Sequence, residues 1–237
     1  MAKLLVKLDH VATLREARRA RTPDPVFAAA IAEVAGASGV VLHLRSDRRH
    51  IKERDLELLR QTIKTHLTIE VSPTQEMLRL VRQIKPERVV LVPERAGEIT
   101  TESGLDVVRN REMLSKELPM LAESGIQLGL FIDPDVDQVK AAHKLNVEVV
   151  QLNMARYADA RTEVARFQQW NNITTAANAA HKFHLVVSAA HDVSYQHAQD
   201  LKNIKDIDEF VVGFAIITRA LQLGMDRAVR EMVDIVK

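Results

Sequence analysis

"PDPVFAAAIAEVAGASGVVLHLRSDRRHI", residues 23 to 51, holds one complete repeat of the pattern that decides the fold. Pro25 suits the first position of a helix, where its missing N–H is one the helix leaves unpaired anyway, and Gly36 suits its end. The run "GVVLHL" (39 to 44) that follows is apolar and β-branched, the composition of a strand in a covered sheet. It runs through His43, and beyond it Arg45, Arg48, Arg49 and His50 crowd around one acid, Asp47. A segment built to be buried ends in a cluster of cations, so one end of this strand is expected to open onto something charged.

Outward from this unit the alternation recurs. Strands are expected at 3–9, 39–44, 67–71, 88–92, 127–132, 147–152, 185–189 and 210–214, with helical segments between them. Asp55 and Ser72 can accept hydrogen bonds from the amides that open the two helices after Asp55's own loop and after strand three. Further helices start near Asp106, Pro134, Ala160 and Ser194, and the last runs from about Ile216 to the C-terminus. Eight strand–helix units in 237 residues predict a TIM (β/α)8 barrel spanning residues 1–237 as one domain, with no low-complexity linker. Spacing alone leaves an open doubly wound sheet as the alternative.

Composition narrows the class. With 46% hydrophobic and 27% charged residues the chain has an ordinary globular make-up, and no apolar stretch approaches the roughly 20 residues that span a bilayer. The N-terminal "MAKLLVKLDH" lacks the apolar segment of a signal peptide and reads as the first strand. The absence of cysteine rules out disulfides and a thiolate nucleophile and fits a cytoplasmic protein. A net charge of +1 argues against nucleic acid as a partner, and nothing points to a membrane.

Barrel enzymes work at the carboxyl ends of their strands. By that test Asp9 and His10 end strand one, His43 and Arg45 strand two, Glu70 strand three and Asp133 strand five, and His191 follows strand seven. A lone strand-end histidine is more often structural than catalytic, but three histidines and a glutamate at separate strand ends point to one site. His66, His143, His181, His184 and His197 fall in helices or at strand beginnings and read as structural. The arginines after strand two can grip phosphate oxygens in a bidentate fork, which makes a phosphorylated substrate the preferred ligand. "DPDVD" (133 to 137) starts like a calcium loop, but Gln138 and Lys144 stand where glycine and glutamate are needed, so no metal site is expected there.

The segments "LDHVATLREAR", "PDPVFAA", "VVLHLRSDRRHI", "LVPERAGEITTESGLDV", "LFIDPD", "RYADA" and "FAIITRAL" occur in the same order as matching segments of the pyridoxine 5'-phosphate synthase family, which the chain resembles along essentially its whole length. The resemblance implies a barrel, usually octameric, that condenses 1-deoxyxylulose 5-phosphate with 3-amino-2-oxopropyl phosphate without an organic cofactor. It assigns Asp9, His10, Arg45, His50 and Thr100 to the ketose phosphate, His43 and Glu70 to proton acceptance and His191 to proton donation. For the aminoketone phosphate only Arg18 and Gly213 match. Lys7 replaces a family asparagine, Gln151 and Asn153 replace a glutamate and a histidine, Asp192 replaces the second glycine of "GHG", and Phe214 replaces the histidine of "GHA". Asp192 would repel a phosphate at close range, so this half-site is expected to be weakened, unless Lys7 pairs with Asp192 and restores neutrality. Two functions follow: the synthase or a close derivative, and a phosphosugar-binding barrel that has lost turnover or takes another amine. A purely structural protein explains neither the basic cluster nor the strand-end groups.

Overall fold

The computed structural model describes residues 1–95, 97, 98, 100, 101 and 103–237; Ala96, Ile99 and Glu102, all within the quoted "LVPERAGEITTESGLDV", lie outside the described residues. Among the described residues the strands are β1 (Lys3–Lys7), β2 (Gly39–His43), β3 (His66–Val71), β4 (Arg88–Leu91), β5 (Gln127–Ile132), β6 (Val149–Asn153), β7 (Val186–Ala190) and β8 (Glu209–Val212). The helices are α1 (Asp9–Ala17), α2 (Pro25–Val34), α3 (Glu53–Thr62), α4 (Gln75–Ile84), α5 (Arg111–Ala122), α6 (Val136–His143), α7 (Ala155–Ala158), α8 (Glu163–Lys182), α9 (Tyr195–Leu201), α10 (Phe214–Leu223) and α11 (Met225–Val236). The strands pair in parallel in sequence order, and β8 closes on β1 with Leu5 opposite Val211. The sheet is therefore a closed (β/α)8 barrel, not an open doubly wound one. Among the described residues no helix is long and apolar enough to cross a membrane.

Strand side chains alternate between two faces, and here both are covered. Leu4, Val6, Leu8, Val40, Leu42 and Leu44 point outward into the layer shared with the helices. Leu5, Val41, Val90, Val92, Phe131, Ala190 and Val211 fill the interior. At the amino ends of the strands the interior turns polar: the Arg88 guanidinium pairs with Glu209, which also accepts from Ser188 Oγ at 2.8 Å, while Arg88 Nε donates to Gln127 at 2.8 Å. At the carboxyl ends, two residues beyond Leu5, Val41 and Val211 on the same face, come Lys7, His43 and Gly213. The polar mouth is thus the last layer of the same alternation that builds the core.

Several element boundaries differ from the sequence reading. Strand β1 stops at Lys7, and Asp9 and His10 open α1 instead of ending the strand. Phe214 likewise begins α10 and does not end β8. Ser72 caps no helix; its hydroxyl lies 3.3 Å from that of Ser46, and α4 starts after Thr74. Asp55 sits in the first turn of α3, accepting from the Lys52 amide at 3.0 Å. Asp106 accepts from the Arg109 amide in a turn ahead of α5. The expected last helix is two, separated at Gly224, whose φ of +82° is a conformation an L residue adopts only under strain. Thr162 and Ser194 cap α8 and α9, and Asp135 caps α6, close to where helices were expected.

Candidate active site

Alternation along the strands brings the carboxyl-end side chains around one cavity of about 620 Å³. Its walls include Lys7, Asp9, His10, His43, Arg45, His50, Glu70, Thr100, Gln151, His191, Asp192, Gly213 and Phe214. Gly213 is needed for space: a Cβ there would lie 3.0 Å from Lys7 Cβ, 3.1 Å from the Lys7 carbonyl and 3.3 Å from His10 Nδ1. Gly104 meets the same requirement in the β4–α5 loop, where a Cβ would come within 2.1 Å of the Asp133 amide. That loop is pressed against the end of β5, and the Gly104 amide donates to Asp133 Oδ1 at 2.9 Å.

At the centre, both oxygens of the buried Glu70 carboxylate are engaged. Lys7 Nζ pairs with Oε2, and Gln151 Nε2 donates to Oε1 at 2.8 Å. The ammonium also lies 3.4 Å from Asp9 Oδ2. Burial alone would lower the Lys7 pKa, but the two carboxylates outweigh it and hold the group above the ordinary lysine value, so it is a fixed cation. Burial would raise the Asp9 carboxyl. Lys7, His50, His43 and the His43 amide, which donates to Asp9 Oδ1 at 2.8 Å, bring it below the usual range. Asp9 thereby pins the end of β2, and with it the His43 backbone, to the start of α1.

The histidines differ in their surroundings. Burial pushes His50 down to about 4, with Asp9 pulling the other way. Its Nδ1 accepts from the Ile51 amide at 2.8 Å, which leaves Nε2 as the proton-bearing nitrogen of a neutral ring. Burial also lowers His10, whose ring meets Phe214 edge-on at 5.3 Å. His191 is lowered chiefly by burial, against the attraction of Asp192, whose Oδ2 is 3.4 Å from its Nε2. His191 and Asp192 have φ of +70° and +54°, two successive left-handed residues without a glycine. Histidine and aspartate enter that region more readily than most side chains, but it still costs energy to hold them there.

The basic loop divides its arginines. Arg45 is 5% exposed; its Nη1 reaches Glu98 Oε1 at 3.3 Å, while its buried Nε makes no hydrogen bond among the described residues. Arg49 lines the cavity, braced by Asp47 at 2.7 Å and by the Glu98 carbonyl at 2.9 Å. Burial opposes ionisation of Asp47, yet Arg49 and Arg45 hold its carboxyl at about 2. Arg48 turns away to Glu53 and Glu76 and takes no part in the mouth, contrary to the expectation that the arginines act together.

Four other residues lie apart from where a simple strand-end reading puts them. Arg18 is exposed at the C-terminal end of α1 and does not line the cavity. Asn153 is also outside its walls: it donates to Asp133 at 3.0 Å and accepts from the Ala155 amide, joining the ends of β5 and β6. Asp133 is used in that joint and does not converge with the other strand-end groups. Lys7 pairs with Glu70 and Asp9 and not with Asp192: its side chain points into the barrel, where the Glu70 carboxylate at the end of β3 meets it. Glu94 was missed in the sequence, although it follows β4 in "LVPE" and the strand-end test applied to the others reaches it. It lies against His43, with its Oε1 3.4 Å from Nε2, and accepts from the Ser46 amide at 3.1 and 3.2 Å. Glu98, whose carboxylate meets Arg45, had no comparable signal, since it lies within a loop.

Comparison with known proteins adds a separate line of information. The sequence profile of the family described as pyridoxal phosphate biosynthesis protein PdxJ matches residues 4–237. The chain is 48% identical over 236 residues to pyridoxine 5'-phosphate synthase of Syntrophobacter fumaroxidans, covering 100% of this chain and 99% of the relative. It is 47% identical over 236 residues to the enzyme of that name from Syntrophotalea carbinolica, with the same coverage. Among solved structures, the fold is similar to that of KGPDC from Streptococcus mutans, with a TM-score of 0.66, 11% identity and coverage of 100% and 97% of the two chains. Thiamine phosphate pyrophosphorylase from Pyrococcus furiosus gives a TM-score of 0.62 at 14% identity, covering 99% and 95%. At such identities the structural likeness speaks for the barrel alone.

Proposed function

Because the chain belongs to the PdxJ family of pyridoxal phosphate biosynthesis proteins, we propose that it is a vitamin B6 biosynthetic enzyme that closes the pyridine ring from 1-deoxyxylulose 5-phosphate and 3-amino-2-oxopropyl phosphate. The observation that carries this reading is the meeting of His43, Glu70 and His191, from three separate strand ends, in one cavity with Arg45, His50 and Thr100. Imine formation, loss of water and phosphate, and deprotonation at carbon each need a positioned acid or base. His43 is the proton acceptor in this scheme. His191, neutral at rest because of burial, takes up a proton before it gives one, and the Asp192 carboxylate steadies the cation in between. Glu70, with both oxygens engaged by Lys7 and Gln151, places its carboxylate beside developing iminium character as well as within reach of a substrate proton.

On the ketose side Arg45 and Arg49 supply guanidinium forks for the phosphate, and the neutral His50 offers its Nε2 hydrogen to a substrate oxygen. Asp9, His10 and Thr100 complete that wall. On the amine side, α10 begins at the cavity with no side-chain cap, leaving free amides that attract an anion, while Asp192 opposes one. Gly213 keeps the approach open. This opposition favours, as a second reading, a phosphosugar-binding barrel whose amine partner carries no phosphate. Assembly as a homo-octamer and a cytoplasmic location belong to the same proposal and rest on the family resemblance.

A coupled assay with both substrates separates the readings. Pyridoxine 5'-phosphate forms with the native chain and falls by roughly 100-fold or more in His43→Ala, the usual contribution of a general base. Binding of the ketose phosphate by calorimetry with no product from the aminoketone phosphate would reject the synthase in favour of the second reading.

A further inference from the structure

Glu94 lies outside the cavity walls but against one of the groups that forms them. Its side chain is 12% exposed and approaches the buried His43 ring, which is 6% exposed, from behind. The carboxylate is fixed by the Ser46 amide, which reaches both oxygens, and Ser46 itself belongs to the loop that carries Arg45. His43 Nε2 is buried and makes no hydrogen bond among the described residues; Glu94 Oε1, at 3.4 Å, is within ion-pair reach but too long or too bent for a good bond. The backbone of His43 is meanwhile anchored by Asp9 at its amide. The carboxylate and the backbone that carries the ring are thus both tethered, and closing the 3.4 Å contact makes it a hydrogen bond. Catalytic contacts of this kind commonly tighten only when substrate is bound.

We propose that Glu94 is the positioning residue of His43: its carboxylate selects the tautomer with hydrogen on Nε2, so that Nδ1 is the nitrogen that takes the substrate proton. In the step itself, the pair of electrons in the substrate C–H or N–H bond stays on the substrate, the proton bonds to Nδ1, and the imidazolium so formed is balanced by the Glu94 charge without moving its Nε2 hydrogen. The logic is that of a carboxylate–imidazole pair in acyl-transfer enzymes, where the carboxylate holds orientation and tautomer and is not itself protonated. Burial disfavours the charge on Glu94, but His43 and the Ser46 amide keep its carboxyl at about 2, so it is ionised throughout the working range. The inference rests on the synthase reading for the proton's source, but not for the tautomer.

The decisive measurement is nitrogen-15 NMR of the histidine rings in the intact protein. His43 is expected as the Nε2–H tautomer, and dominance of the Nδ1–H form would overturn the proposal whether or not the chain turns out to be a synthase. In the synthase assay, Glu94→Gln lowers kcat by roughly 10²-fold with KM for the ketose phosphate little changed, and Glu94→Asp restores part of the loss. A change confined to KM would assign Glu94 to holding the Arg45 loop and reject the positioning role, as would an unchanged kcat. If Glu94→Gln does not fold, the tautomer of the unmodified chain still decides.

Discussion

Lys7 adds a positive charge at the cavity, and its consequence is local. The ammonium is 21% exposed to the cavity and neutralises a Glu70 carboxylate that is almost wholly buried. Removing one partner of a buried ion pair leaves the other uncompensated, at a cost of about 3–5 kcal/mol. Lys7→Met is therefore expected to destabilise the fold by about 3 kcal/mol. Urea unfolding measures this, and an unchanged midpoint would mean that Glu70 does not depend on Lys7. The sequence showed Lys7 as a substitution, but not its partner. Spacing along one strand says which face a side chain occupies, whereas β3 and the end of β7 stand equally far from β1 in the closed sheet, and only the placement of the side chains themselves chooses Glu70 over Asp192.

Between elements, the basic loop after β2 is held by α1 and α3. Arg15 donates from Nη1 and Nη2 to the two oxygens of Asp55, each at 2.8 Å, and Nη2 also reaches the His50 carbonyl at 3.1 Å. Asp55 is fully buried and Arg15 is 5% exposed. A bidentate guanidinium–carboxylate pair fixes direction as well as distance. Asp55→Ala strands the guanidinium and should cost about 3–5 kcal/mol in urea unfolding. Because Arg15 also holds His50, the same substitution is expected to weaken ketose phosphate binding in calorimetry; a loss of stability with unchanged binding would show that His50 is held by other contacts. Helix starts were legible at Pro25, near Ala160 and at Ser194, where local chemistry marks them. Ser72 was misread because a serine hydroxyl has other partners in a packed loop, and the last helix was read as continuous because a glycine with positive φ can join two helices within one apolar pattern.

At the scale of the molecule, closing the barrel buries imidazoles as well as hydrocarbons. His10, His50, His66 and His191 all have pKa values depressed mainly by burial, His50 to about 4. A base whose folded pKa lies below its unfolded value of about 6.5 takes up its proton more readily when unfolded. The stability it contributes is complete above about pH 6.5 and is lost as pH falls toward the folded value, His50 alone accounting for up to roughly 3 kcal/mol by pH 4. The urea midpoint is expected to decline steadily from pH 7 to 4, and less steeply in His50→Asn; a flat profile over that range would contradict neutral burial of these rings. Below that range the depressed carboxyls of Asp9, Asp55 and Glu209 take over as they are protonated. What the sequence determined by itself was the succession of eight apolar strands and their helices, and the polar residues left at the carboxyl ends, because both follow from local periodicity and local caps. The three-dimensional structure alone decided that Lys7 faces Glu70, that Arg18 and Asn153 stand outside the cavity and that Glu94 backs His43. Those contacts join residues up to 63 positions apart, and only closure of the sheet sets the distances between them.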